Sequence, residues 1–481
     1  MQTATTGAAA GSARRWLTLD GELARRIGTL AGPTVLAMIS QTLINNTDHI
    51  MVGRIKGFIT VGGQQVKESI AGQSALTPAL ALMWMVGGAL SAISVGTQAL
   101  TARRFGEGDL AGAGRVSTNS VAISLLMGIA ASVLFVWLTP VLFPLVAKDP
   151  GVQQVGIPFL RWRYAAVLSM VVTASYKSFF DGLGQTRVHF VVAVVMNIVN
   201  FLLNYALIFG HWGLPRLGVE GSGIASCISS YLGCFMIIAW SFRKEIREAY
   251  QPYRLSNLSG ALRREIARLS APSTAAVIIS LAGFAVFFKV CYKLDADAGH
   301  TETIFLSATN NIINIFQLVF ISCIAYGTAT ATLVSQGLGA KQPGLAERFA
   351  FEAAKLGVLF WIAIGTCTAL FPHFILHLWS DDLPVIEAAI PILRVVGLFE
   401  PFACIALVFM YALYGAGAAR FVMKVELTLH LSCLIPLSYL LGVTFGLGLW
   451  GVWGAMIAYI VLMAVMMSWK FMQGDWKQIQ I

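Results

Sequence analysis

Long uncharged runs of apolar residues, separated by short polar segments, fill most of the sequence. A helix crosses the hydrocarbon core of a bilayer with about 20 such residues. Runs of at least that order occupy 27–47, 69–102, 116–147, 188–215, 221–242, 269–288, 303–340, 356–380 and 427–469. The glycines between Gly442 and Gly451 divide the last run into two helices. Two further spans, 157–181 and 388–416, hold charges: Arg161, Arg163 and Lys177 in the first, Arg394 and Glu400 in the second. Basic side chains reach the interface from helix ends, so both count as spans. The pattern predicts an all-α membrane protein with twelve transmembrane helices.

Composition agrees. Hydrophobic residues make up 57% and charged residues 12%, with a mean hydropathy of +0.74. A soluble domain carries about 25% charged residues, and a smaller supply leaves too much surface uncovered. This excludes a soluble enzyme, a disordered chain and a disulfide scaffold. The net charge of +10 does not point to nucleic acid, because its distribution has another cause. The N-terminal tail, even-numbered loops and C-terminus hold 21 Lys and Arg, against 7 in the odd-numbered loops. That bias puts both termini of a multi-pass protein in the cytoplasm. The first residues have no apolar core ending in a cleavage site, so they are not a signal peptide. The seven cysteines lie in apolar stretches without metal-binding spacing and read as core or lipid-facing fillers.

An internal repeat divides the chain. Gly96-Thr97 with Gly106 and Gly108 recurs as Gly327-Thr328 with Gly337 and Gly339, an offset of 231. Gly182-x-Gly184-x-x-Arg187 recurs as Gly415-x-Gly417-x-x-Arg420, offset 233. Gly218-Val219-x-Gly221-x-x-Ile224-Ala225 recurs as Gly451-Val452-x-Gly454-x-x-Ile457-Ala458, again offset 233. The expected organisation is therefore a cytoplasmic tail (1–26), a six-helix lobe (27–242), a basic cytoplasmic linker (243–268), a second six-helix lobe (269–473) and a short cytoplasmic tail (474–481). Six helices per half make the repeat parallel, an arrangement of secondary transporters.

Polar residues inside spans are costly and mark either function or helix contacts. Thr34, Gln41, Asn45 and Asp48 recur at spacings that share one helix face, as do Asn197, Asn200 and Asn204, and Ser307, Asn310, Asn314 and Gln317. Asp48 is the only acid in its span, either a wet interfacial carboxylate or part of a polar cavity. Glu400, followed by Pro401, suits a gate or cation site, or a structural pair with Arg394. Lys289, Lys293, Asp295 and Asp297 read as a solvated outer loop, and the scattered histidines suggest no chemistry. Metalloprotease, phosphate-loop and nucleophile-elbow signatures are absent from the sequence. A transporter rather than an enzyme is expected, with no cofactor.

The segments Ala-Gly-Pro33, Thr-Asp48-His-Ile-Met-Val-Gly, Gly96-Thr-Gln-Ala and Phe-Asp-Gly182-Leu-Gly come in this order. Asn200-Phe-Leu-Leu-Asn204-Tyr-Ala-Leu-Ile-Phe-Gly and Gly-Val-Glu-Gly221-Ser-Gly-Ile-Ala-Ser226 follow. In this order along twelve spans, over about residues 20–470, the chain resembles the bacterial multidrug and toxic-compound extrusion (MATE) family. The resemblance implies two pseudo-symmetric six-helix lobes in a V, alternating access, and export of small organic, often cationic or amphiphilic, molecules in exchange for H+ or Na+. Carried over by resemblance, the cation site falls on Asp48, Asn200, Asn204 and Ser226, with Asp48 as the Na+ ligand if sodium is the coupling ion. Some relatives have a second acid where this chain has Asn204. The acids of a second sodium site align with Ser280 and Ala403, so that site is missing here. The expected substrate pathway comprises Gln41, Asn45, Asn197, Asn310, Asn314, Gln317 and Glu400. The expected partners are small-molecule substrates and the lipid bilayer, with no nucleic acid, and the expected state is a monomer. The alternative is a flippase for lipid-linked precursors or oligosaccharides from the same superfamily. Such proteins favour a basic central cavity, and only five Lys and Arg lie inside these spans.

Overall fold

The computed structural model describes residues 19–299, 303–380 and 382–481. The expected N-terminal tail lies outside the described residues up to residue 18. A chain in hydrocarbon must satisfy its backbone hydrogen bonds within each segment, and helices do this. The long elements are α1 (Gly21–Gly53), α2 (Glu68–Met83), α3 (Ile93–Gly106), α4 (Leu110–Val146), α5 (Pro150–Ala165), α6 (Val167–Gly182), α7 (Arg187–Phe209) and α8 (Gly218–Ser241). They continue as α9 (Gly260–Asp297), α10 (Ile304–Gly339), α11 (Pro343–Leu370), α12 (Leu383–Ala416), α13 (Ala419–Leu429) and α14 (Gly448–Gln473). Among the described residues, eleven continuous helical segments are long and apolar enough to cross a membrane. The first expected span, 27–47, lies on the 33-residue α1. The chain is an all-α membrane protein.

Two compact units emerge. The first is Pro33–Ala282 with Ala419–Lys424 and the last two residues. The second comprises Gly283–Ala418 and Val425–Ile479 with the segment ending at Gly32. In the first unit, Leu76, Leu100, Phe143, Phe159, Leu160, Tyr164 and Val171 are buried in one core. Its outer surface stays apolar: α4 exposes Leu126, Ile129, Val133 and Trp137 along one stripe, the face that lipid solvates.

Glycines from the repeat make the same kind of helix crossing in each unit. A Cβ on Gly182 would lie 2.9 Å from Cβ of Thr101, where α6 meets α3. A Cβ on Gly415 would lie 2.3 Å from the carbonyl oxygen of Ala331, where α12 meets α10. The sequence match at offset 233 thus corresponds to one packing device used twice.

Three short features depart from the sequence reading. Between α1 and α2 stands an antiparallel hairpin, β1 (Phe58–Val61) and β2 (Gln64–Lys67), pairing Phe58 with Lys67 and Val61 with Gln64. Gly62 and Gly63 form its turn at φ 55° and 86°, the left-handed conformations that a two-residue hairpin turn requires. The Lys289–Asp297 stretch is helix rather than loop. Its Asp295 is buried and accepts the backbone N–H groups of Phe305 (2.8 Å) and Leu306 (3.0 Å), capping α10. At the C-terminus, Trp476 is buried, stacks on Phe471 with ring centres 4.5 Å apart, and donates to the Phe471 carbonyl at 2.7 Å.

The basic segment after α8 is also ordered. Asn119 of α4 donates to the carbonyl of Asn257 (2.8 Å) and accepts from the Ser259 N–H (2.9 Å), while Thr118 donates to the carbonyl of Pro252. Gly114 makes room for it: a Cβ there would lie 1.7 Å from the Tyr250 carbonyl oxygen.

Overpacking a close helix crossing costs about 1–3 kcal/mol. Gly415→Ala is therefore expected to lower the melting temperature in detergent by several degrees. Gly454→Ala is the control, because nothing lies within 4 Å of a Cβ there, and its melting temperature should match the parent chain.

Candidate functional site

The carboxylate of Asp48 lies in the first unit, only 4% exposed. It stands near the C-terminal end of α1, facing α7 and α8. Asparagines at i and i+4 on α7 share a face, which is why Asn200 and Asn204 reach the same place. Asn204 donates its Nδ2 to Asp48 Oδ1, and Ser226 of α8 donates to Asp48 Oδ2 at 3.4 Å. Asn204 Nδ2 also donates to Asn200 Oδ1 at 3.0 Å. Asn200 Nδ2 in turn reaches Ser226 Oγ and Ser229 Oγ, both at 3.3 Å. Asn200, Asn204, Ser226 and Ser229 are all buried. α8 comes this close because Gly221 lacks a Cβ, which would lie 2.8 Å from the Leu207 carbonyl oxygen of α7.

Sequence reasoning missed two members of this site. Ser229 is three residues beyond Ser226, and its own hydroxyl donates back to the Ser226 carbonyl at 3.2 Å. Arg163 of α5 faces Asp48 electrostatically, its guanidinium 6.0 Å from the ring centre of Phe159. Its presence inside a span was a signal, and an intramembrane base looks for an intramembrane acid.

Donor and acceptor capacity defines what the group can do. A bare carboxylate accepts only, and Asn204 and Ser226 turn donors toward it. Asn204 Oδ1 is buried with no hydrogen-bond partner among the described residues. Half a turn of that amide exchanges its N–H for this oxygen. The site then presents an acceptor to a protonated carboxyl, or one more hard oxygen to a cation beside Asp48, Asn200 and Ser226. Oxygen ligands of this kind are what Na+, like other hard cations, takes. Among the described residues there is no group of three His, Cys, Asp or Glu that could hold a metal ion.

The family model MatE matches residues 33–206 and 296–440. The chain belongs to the MatE family of transporters. This MatE chain is 25% identical over 408 residues to "Probable multidrug resistance protein NorM" of Thermotoga maritima, covering 82% of this chain and 84% of that protein. It is 26% identical over 437 residues to "Multidrug resistance protein PmpM" of Pseudomonas aeruginosa, covering 89% and 86%. Its fold is similar to a solved outward-facing "multidrug resistance MATE family transporter of the MOP superfamily", with a TM-score of 0.84 at 21% identity over 95% and 97% of the two chains. A MOP superfamily transporter from Pyrococcus furiosus gives a TM-score of 0.83, also at 21% identity, over 95% and 97%.

The remaining sequence-nominated residues of this MatE protein are dispersed. Asn197 is buried and donates to Ser40 Oγ, tying α7 to α1. Gln41 and Asn45 lie on α1, with side chains outside the described residues. In the second unit, Asn310, Asn314 and Gln317 are exposed along one face of α10, opposite its buried Ala308, Ile312 and Ile315. Glu400 on α12 is 1% exposed, and its Oε2 has no hydrogen-bond partner among the described residues. It sits beside a tight crossing, since a Cβ on Gly365 would lie 2.1 Å from the Gly397 carbonyl oxygen.

Leaving a buried polar group without its partner costs about 1–3 kcal/mol. Asn200→Ala breaks the link between Asn204 and both serines, so its melting temperature should fall by several degrees. Ser229→Ala removes two long contacts, one of them within its own helix, and should fall less. Thermal unfolding of the purified variants in one detergent checks the order.

Proposed function

We propose that this chain is a secondary antiporter of a bacterial inner membrane, with both termini cytoplasmic. It exports small organic, cationic or amphiphilic compounds in exchange for H+ or Na+ by alternating access. The relatives named for multidrug resistance support export as the direction. The observation that carries the coupling role is the buried Asp48 with its ring of reorientable amide and hydroxyl partners. Asp48 is the group that loads and releases the ion, and Asn200, Asn204 and Ser226 stabilise each state in turn. Gln41, Asn45, Asn197, Asn310, Asn314, Gln317 and Glu400 are proposed to line the substrate pathway. The polar face of α10 fits water or cargo better than lipid.

The driving force suffices. One charge moving through 100 mV supplies about 2.3 kcal/mol, and each tenfold cargo gradient costs about 1.4 kcal/mol. One inward ion thus supports roughly a forty-fold gradient of a neutral cargo. One-for-one exchange with a monovalent cationic cargo is electroneutral, and only the ion gradient itself then drives it.

Asp48→Asn is expected to abolish ion-driven efflux of an ethidium-like dye from proteoliposomes while keeping the helical circular dichroism of the parent chain. Full efflux by the variant would remove Asp48 from the mechanism. Imposing the Na+ and H+ gradients separately identifies the coupling ion. A lipid-flipping assay on the same vesicles distinguishes export of dyes from flipping of lipid-linked precursors.

A further inference from the structure

The second unit contains a buried acid–histidine cluster that the Asp48 site does not use. Glu426 lies in α13, and His430 begins a single wide turn, His430–Leu434, with π-type hydrogen bonding. Such turns are frequent at functional sites. Both side chains are buried, His430 to 1% exposure. His430 Nδ1 stands 2.9 Å from the Glu426 carbonyl oxygen and 3.3 Å from Glu426 Oε2. Tyr459 of α14 donates its hydroxyl to Glu426 Oε2 at 3.0 Å, and its ring centre is 4.9 Å from that of His430.

The hydrogen bonds fix the tautomer. With Nδ1 against two acceptor oxygens, the neutral ring carries its proton there, and the lone pair is on Nε2. That nitrogen is buried and has no hydrogen-bond partner among the described residues. The carbon edge beside it packs on Gly283 of α9, where a Cβ would lie 2.1 Å from Cδ2 and 3.0 Å from Nε2. The glycine's missing Cβ is what lets the ring fit against α9, and Phe284 meets the ring edge-on at 6.4 Å. Neighbouring helices bring the titratable Tyr459 of α14 and Tyr414 of α12 into the field of Glu426.

We propose that Glu426, His430 and Tyr459 form a second proton-binding site, which loads at His430 Nε2 and makes efflux depend on pH. A proton added there gives an imidazolium directly against the Glu426 carboxylate, a paired charge, and no other bond forms or breaks. A buried ion pair with a further donor on its carboxylate is tolerable where a lone charge is not. The role in efflux rests on the antiport reading above, whereas proton binding itself does not.

The test uses the full chain in lipid nanodiscs, with isotope-labelled histidines and the His430 ring signal assigned by its loss in His430→Gln. The signal is recorded from pH 9 down to pH 5 and is expected to move as Nε2 takes up its proton. In Glu426→Gln its midpoint should fall by about one pH unit, a tenfold loss of proton affinity. Tyr459→Phe is the milder variant: freeing the carboxylate from a competing donor should move the midpoint upward. A ring that stays neutral throughout this range, or a midpoint indifferent to both variants, overturns the proposal. In proteoliposomes, the pH profile of dye efflux by His430→Gln should shift by about one unit, and an unchanged profile overturns the transport role. Asp48→Asn separates the two readings. Its His430 signal should titrate as in the parent chain, whether or not its efflux is lost.

Discussion

A charge that enters hydrocarbon must bring its own solvent. This constraint organises the polar groups of the chain, and three buried acids find donors inside their own unit. Asp48 finds them on two neighbouring helices, through Asn204 and Ser226. Asp295 finds them in the free N–H groups at the start of α10. Glu426 finds a tyrosine hydroxyl and an imidazole. Glu400 is buried with one oxygen unpartnered, so its protonated and charged forms place different demands on the surrounding helices.

Helix crossings supply the second half of the design. Donors reach an acid only when backbones approach, and glycines set that approach at Gly221 for the Asp48 site and at Gly283 for His430. The repeated Gly182 and Gly415 show how a duplicated sequence keeps a crossing without keeping its polar contents. The first unit places amides around one carboxylate, whereas the second pairs an acid with a histidine. The two units thus offer different chemistry.

Much of this was legible in the chain itself. Spans follow from apolar runs, because the bilayer imposes a length and forbids unpaired backbone. The asparagine stripe on α7 follows from the period of a helix, since residues four apart must share a face. Asp48, Asn200, Asn204 and Ser226 were nominated together through family likeness, and they do meet. Arg163 and Ser229 were overlooked, although an arginine within a span and a serine three residues past another were both visible. Glu426 was missed for a different reason: it sits just before an uncharged run, and only the helix's continuation through it puts it inside the unit. The hairpin at Phe58–Lys67 and the packed Trp476 were hidden in segments too short for periodicity to register.

The sequence alone determined the membrane setting, the helical class and the twofold use of one motif set, because each is read from the order of residues without knowing which of them meet. Tertiary structure decided which polar faces turn inward and which acid meets which donor. It placed Asn310, Asn314 and Gln317 on an exposed face, while the equally polar Asn200 and Asn204 became buried. Helical periodicity assigns residues to a face but carries no information about what that face meets, and the chemistry of a buried charge lies entirely in what it meets.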